Sequence, residues 1–246
     1  SFDVGRSHFD HPLGSRFEEM DAVAFFDNVL VPWERVFLLG DVALCNNMQI
    51  ATNRHLHAGQ QVVTRNVAKC EFVLGLANLM TETLGSNDST QVQTMIAEII
   101  ENLEVTRSCL RAAEVDAKVD EWGVMCPAEL PLQVARNMFI RMYPRMGEIL
   151  HLLGSSSLMA LPSEADMSGP LADDISHYLE TDTSSAKDRV QLFRLAWDVS
   201  CSAFGARQIL YERFFQADSV RNAVILYNMT DREPASDIVR EFLAQD

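Results

Sequence analysis

Arg54-His55-Leu56-His57-Ala58-Gly59-Gln60-Gln61 sets two of the chain's six histidines side by side. Imidazole ligates metals and moves protons near neutral pH, but a zinc site needs three or four ligands. An H-x-H pair with no further ligand at i+4 falls short of that, so the pair reads as satisfied or exposed histidines and no metal site is assigned. Leu153-Gly154-Ser155-Ser156-Ser157 is the second candidate. Small residues directly after a helix expose backbone N–H groups and hydroxyls suited to a phosphate or ribose, and a plain helix-to-helix turn has the same composition. Arg65 is the third, a cation on the polar side of an otherwise apolar helix. It reads as a solvated or intersubunit charge, or as a phosphate clamp. Patterns of the H-E-x-x-H, G-x-S-x-G and Walker types are absent, which removes the sequence support for metalloprotease, α/β-hydrolase and P-loop chemistry. The five cysteines, Cys45, Cys70, Cys109, Cys126 and Cys201, lie far apart without a C-x-x-C pair and read as small buried hydrophobes.

The elements that must position these groups are helices. At 246 residues and 48% apolar composition the chain buries a substantial core. A net charge of −15 excludes a phosphate-binding surface for nucleic acid. No apolar run approaches the roughly 18 residues of a membrane span, and the first residues lack the apolar stretch of a signal peptide, so a cytoplasmic protein is expected. Residues 22–31, Ala-Val-Ala-Phe-Phe-Asp-Asn-Val-Leu-Val, read as a β-strand stopped by Pro32. From Asp41 onward the apolar period lengthens to about 3.6.

Leu56, Val63, Val67, Cys70, Leu74, Ala77 and Leu84 share one face of a helix over 54–84, ended by Gly85. A second helix, capped by Asp88 or Ser89, carries Val92, Met95, Ile96, Ile99, Leu103, Leu110, Ala113 and Ala117 to about Trp122. A third starts near Pro131, is expected to kink at Pro144 and ends at Leu153. The fourth covers about 185–216, with Val190, Phe193, Trp197, Cys201, Phe204, Gln208 and Tyr211 in register, and shorter helices follow over 218–228 and 234–244. The fold class expected is mainly α: a four-helix up-and-down bundle over 41–246, preceded over 1–40 by the incomplete end of a β-domain. Helices of this length imply contacts beyond one subunit.

The segments HPLGSRFEEMDAVAFFDNVLVPWERVF, AKCEFVLGLA, LGSSSLMALPSE and FGARQILYERFFQADSVRNA, spread over nearly the whole chain, resemble the C-terminal part of the oxygenase component of 4-hydroxyphenylacetate 3-monooxygenases. The resemblance implies a bundle akin to the C-terminal domain of acyl-CoA dehydrogenases, with the rest of the β-domain and a further helical domain in the upstream part of the same polypeptide. It implies a flavin-dependent monooxygenase in which a separate flavin reductase supplies reduced FAD, and one atom of O2 is delivered ortho to the hydroxyl of a small phenolic substrate. The protein's task would be to keep the flavin dry and the phenol oriented. An isolated fragment would be inactive, and a homotetramer built as a dimer of dimers is expected.

The family's substrate-binding residues lie upstream, so no catalytic residue is assigned. The family's flavin-contacting helix matches His57, Gln61, Arg65, Asn66 and Lys69. The turn that meets a neighbouring subunit's FAD in acyl-CoA dehydrogenases matches His151, Gly154 and Ser155, followed by Ser156. Two other readings stand beside this one. The 4-hydroxybutyryl-CoA dehydratase and vinylacetyl-CoA isomerase group shares the scaffold but needs a cysteine seven residues after its histidine, where this chain has Thr64. An oligomerisation bundle without activity of its own is the non-enzymatic reading.

Overall fold

A computed structural model describes residues 5–18, 21–215 and 218–245. Its elements, in chain order, are α1 (Gly14–Phe17), α2 (Val42–Ala51), α3 (Arg54–Thr83), α4 (Thr90–Val115), β1 (Lys118–Val119), β2 (Met125–Cys126), α5 (Glu129–Gly154), α6 (Ser156–Met159), α7 (Ala172–Leu179), α8 (Ala186–Ser200), α9 (Ala203–Phe214), α10 (Ser219–Met229) and α11 (Glu233–Leu243). The bundle is α3, α4, α5 and the α8–α9 pair, with α3, α4 and α5 packed on one another and α8–α9 closing over α5. At 30 residues, α3 extends about 45 Å. Its buried positions Cys70, Val73, Ala77 and Met80 share one core with Ile99 of α4, Phe139, Met146 and Ile149 of α5, and Phe193 and Ala196 of α8, while Val63 packs in a second cluster with Ala113 of α4 and Leu132 and Ala135 of α5. Of the stripe expected from the sequence, Val63, Cys70 and Ala77 are buried and Val67, Leu74 and Leu84 pack at its edge, while Val73 and Met80 join the core beside it. Burial pushes the Cys70 thiol up to about 12, so it behaves as a hydrophobe. Cys45, by contrast, is exposed. Among the described residues no helix is long and apolar enough to cross a membrane.

Three local expectations are corrected. No strand forms over 22–31: the chain is extended but bends at Asp27–Asn28, where Asn28 has φ +49°, and among the described residues it has no ladder partner. A strand without a neighbour has nothing to satisfy its backbone, and Phe25, Leu30 and Phe37 stand 88, 90 and 96% exposed.

The second helix stops at Val115 and not at Trp122. Asp120 accepts hydrogen bonds from the N–H groups of Trp122 and Val124 at 2.9 Å each, which folds a turn ending in Gly123 at φ +78° and pairs β1 with β2. A carboxylate that captures backbone donors two and four residues on outcompetes helix continuation. The third helix runs through Pro144 without interruption.

The single helix expected over 185–216, whose last residue lies outside those described, is two helices. Ser202 accepts from the N–H of Gly205 at 3.1 Å and so caps α9 at a corner after Ser200.

A docked N-terminal segment frames the bundle. Asp198, fully buried on α8, accepts from the N–H groups of Leu13 and Gly14 at 2.7 and 2.8 Å, which fixes α1. Arg194 donates to the carbonyls of Leu161 and Pro162 and lies 3.6 Å from Asp10. On the far side, Glu98 takes a two-point ion pair from Arg145 at 2.8 and 2.9 Å, which holds its carboxyl below the usual glutamate range and ties α4 to α5.

Candidate functional site at the α3–α9 seam

His57, Gln61, Arg65 and Lys69 follow one another at intervals of four and therefore form one stripe along the first half of α3. At Arg65 and Lys69 the stripe faces Gln208, Tyr211 and Glu212 of α9. The Glu212 side chain is 0% exposed, and its two oxygens are taken by Arg65 at 3.0 Å and Lys69 at 2.6 Å. Arg65 also donates to the Tyr211 hydroxyl at 2.8 Å, and Lys69 to Gln208 at 3.0 Å. The guanidinium lies 5.0 Å from the centroid of the Tyr211 ring and 6.0 Å from that of Phe215; these two rings stack at 4.4 Å and 19°. Tyr143 beneath them is buried, and burial followed by the charge of Glu212 pushes its phenol well above the usual tyrosine range. Arg65 is thus an intrachain ion-pair partner, with its Nε buried and unpartnered.

Beside this seam a cavity of about 630 Å³ opens between the first turns of α3, α5 and α10. Arg54, Arg136 and Arg221 line it, with Gln61, Phe214 and Phe215. Gln133 of α5 donates to the Asn222 carbonyl and side chain at 3.3 and 3.2 Å, which anchors α10 and hence Arg221. Burial pulls the Arg136 guanidinium below its ordinary range, opposed by Glu129. His55 contacts the Gln49 carbonyl at 3.0 Å and lies 3.7 Å from Glu129. In a chain of net charge −15, three arginines around one opening, offset by Glu129 in its lining, make a local anion-binding environment.

The remaining sequence candidates lie elsewhere. His57 points to the hairpin, its Nε2 3.6 Å from the Cys126 sulfur, itself 3.5 Å from Asp120. His151 contacts the Ser200 carbonyl at 2.9 Å. Gly154 is buried where a Cβ would stand 2.5 Å from Leu158 and 3.0 Å from Met80, and Ser155 takes φ +43° to leave α5. Ser156 borders a small cavity of about 190 Å³ with Arg189 and Phe193. Met80 is fifteen residues beyond Arg65 on α3, about 22 Å at 1.5 Å per residue. Within one chain, therefore, Arg65 and the 154–156 turn do not meet at one phosphate group.

Glu212 and the arginines of the cavity were not singled out from the sequence. The signal for Glu212 was present: it lies four residues after Gln208 and eight after the buried Phe204, so a carboxylate was due on the inward side of the helix. The arginine cluster had no such signal, because Arg54, Arg136 and Arg221 converge only through the packing of α3, α5 and α10. Among the described residues no group of three or more His, Cys, Asp or Glu is arranged to hold a metal.

Residues 45–244 match the family described as 4-hydroxyphenylacetate 3-hydroxylase C terminal, and residues 1–38 match its N-terminal counterpart. The chain belongs to the 4-hydroxyphenylacetate 3-hydroxylase family. It is 50% identical to the 4-hydroxyphenylacetate 3-monooxygenase oxygenase component of Thermus thermophilus over 98% of this chain and 50% of that protein. The chain spans about half the length of the curated relatives it matches. The crystal structure of an oxygenase component of 4-hydroxyphenylacetate 3-monooxygenase complexed with FAD and 4-hydroxyphenylacetate superposes with a TM-score of 0.93 at 49% identity, covering all of this chain and 52% of that one. An archaeal 4-hydroxybutyryl-CoA dehydratase from N. maritimus shares the fold alone, with a TM-score of 0.77 at 14% identity, covering 89% of this chain and 43% of that one.

Proposed function

We propose that this chain is the helical, flavin-holding part of a reduced-FAD-dependent ortho-hydroxylase of small phenols, working with a separate flavin reductase. The observation that carries the reading is its superposition over its whole length, at 49% identity, on an oxygenase complexed with FAD and 4-hydroxyphenylacetate. The donor set of the seam cavity fits the cofactor. A diphosphate needs cations and N–H donors when it leaves water, and the guanidinium groups of Arg54, Arg136 and Arg221 supply both. When bound, the reduced flavin supplies the electrons that activate O2. The chain's own part is to bind the diphosphate through these arginines, to hold Gln61 at the rim and to exclude water with Phe214 and Phe215.

In this reading His57 lies on the hairpin side, outside the lining of the cavity. His151, Gly154, Ser155 and Ser156 serve the flavin of a neighbouring copy, as the matching turn does in acyl-CoA dehydrogenases. Residues 1–40 complete a β-domain with polypeptide outside this chain. A homotetramer accounts for the exposed apolar residues of the last two helices, among them Val220, Tyr227, Ile238, Phe242 and Leu243. Light scattering on the full-length protein should give a mass of about four subunits; a stable monomer at micromolar concentration would remove the tetramer.

Arg221→Ala in the full-length protein is expected to weaken reduced-FAD binding about tenfold or more, for the loss of roughly 1.5–3 kcal/mol of charge-assisted hydrogen bonding. Arg221 is exposed, so thermal stability should shift by less than about 0.5 kcal/mol. Unchanged affinity in an anaerobic titration would exclude this cavity as the diphosphate site.

A further inference from the structure

Arg65 matched a direct flavin contact in the sequence, yet both its terminal nitrogens are engaged within the chain, one by Tyr211 and one by Glu212. Its plane is therefore set from below. Above it, the Tyr211 and Phe215 rings stack within reach of the guanidinium's cation–π attraction, and Phe215, 60% exposed, forms part of the cavity wall that also carries Phe214 and Gln61. Phe215 caps the end of α9, its N–H bonded to the Tyr211 carbonyl at 2.9 Å. What fixes the ring is the column Glu212, Arg65, Tyr211, Phe215.

We infer that Arg65 is a positioning residue: locked by Glu212, it holds the Tyr211–Phe215 stack so that Phe215 offers one aromatic face to a planar ring of the dinucleotide. The inference rests on the flavin reading and gives it a specific division of labour, with Arg54, Arg136 and Arg221 on the diphosphate and Phe215 on a ring. A preset aromatic face costs the ligand little ordering on binding. Lysine in place of Arg65 would keep the charge opposite Glu212 but lose both the second hydrogen bond and the flat surface under the rings.

The test is a thermodynamic cycle on reduced-FAD affinity in the full-length protein, using Arg65→Lys, Phe215→Leu and the double variant. Each single change should weaken binding at least fivefold, and Arg65→Lys should cost nothing further once Phe215 is leucine, because its effect passes through that ring. Phe215 is exposed, so its variant folds even where the arginine variant is impaired. Wild-type affinity in Arg65→Lys would overturn the inference, as would losses that multiply in the double variant, the signature of Arg65 touching the ligand itself. A wild-type protein that binds no reduced FAD would overturn the flavin reading as well, an outcome distinct from the other two.

Discussion

Glu212→Ala lowers the stability of the bundle by about 3 kcal/mol, at the lower end of the roughly 3–5 kcal/mol expected for breaking a buried ion pair. The carboxylate is 0% exposed and serves two cations at once, so its loss unfastens α9 from α3 at Arg65 and Lys69 together. The cost stays at the lower end because both cations are partly exposed, 30 and 23%, and can turn to water. Removing the cations is worse: in Arg65→Met with Lys69→Met the buried carboxylate cannot reach solvent, and the loss should reach about 5 kcal/mol. At about 2–4 °C per kcal/mol for a domain of this size, the two variants should melt roughly 6–12 °C and 10–20 °C below wild type. Calorimetry or circular dichroism decides it. A Glu212→Ala protein melting within about 2 °C of wild type would mean the seam contributes nothing.

Gly205→Ala is the second large effect. A Cβ there would stand 2.5 Å from the carbonyl oxygen of Val199, 2.6 Å from its carbon and 2.8 Å from the carbonyl oxygen of Asp198. These are backbone atoms, so no rotamer change relieves the contact, and α8 and α9 must separate at their corner. The expected loss is about 3 kcal/mol, the upper end for overpacking. Asp198 would be displaced with the corner, and with it the anchor of Leu13 and Gly14. Gly75 is the internal control. It lies in the interior of α3 with no atom within 4 Å of a Cβ, so Gly75→Ala should stabilise by about 0.5–1 kcal/mol. Equal melting temperatures for the two alanine variants would contradict the packing at the corner.

The bundle was legible because its helices carry long apolar stripes: Val63, Cys70 and Ala77 on α3, and Ile99 and Leu103 on α4, are buried where period 3.6 puts them. The missed features share a different physics. Ser202 and Asp120 redirect the backbone through single side-chain hydrogen bonds, and such local competition leaves the apolar period intact on either side. Residues 22–31 have strand composition, but composition cannot supply a partner strand. Of the candidate site, the stripe His57, Gln61, Arg65, Lys69 was readable as a spacing, and the resemblance gave it a cofactor. Its packing against Glu212 and the convergence of Arg54, Arg136 and Arg221 depend on three helices meeting, which no spacing encodes.

The central claim is that this bundle serves the hydroxylation of a phenol by reduced FAD and O2. The most direct measurement supplies the full-length protein with reduced FAD, ¹⁸O2 and, in turn, 4-hydroxyphenylacetate, phenol and 4-chlorophenol, and analyses the products by mass spectrometry. The account predicts that at least one of them gains a single ¹⁸O ortho to its hydroxyl group. Reduced flavin converted entirely to oxidised flavin and hydrogen peroxide, with none of the three phenols labelled, would contradict it.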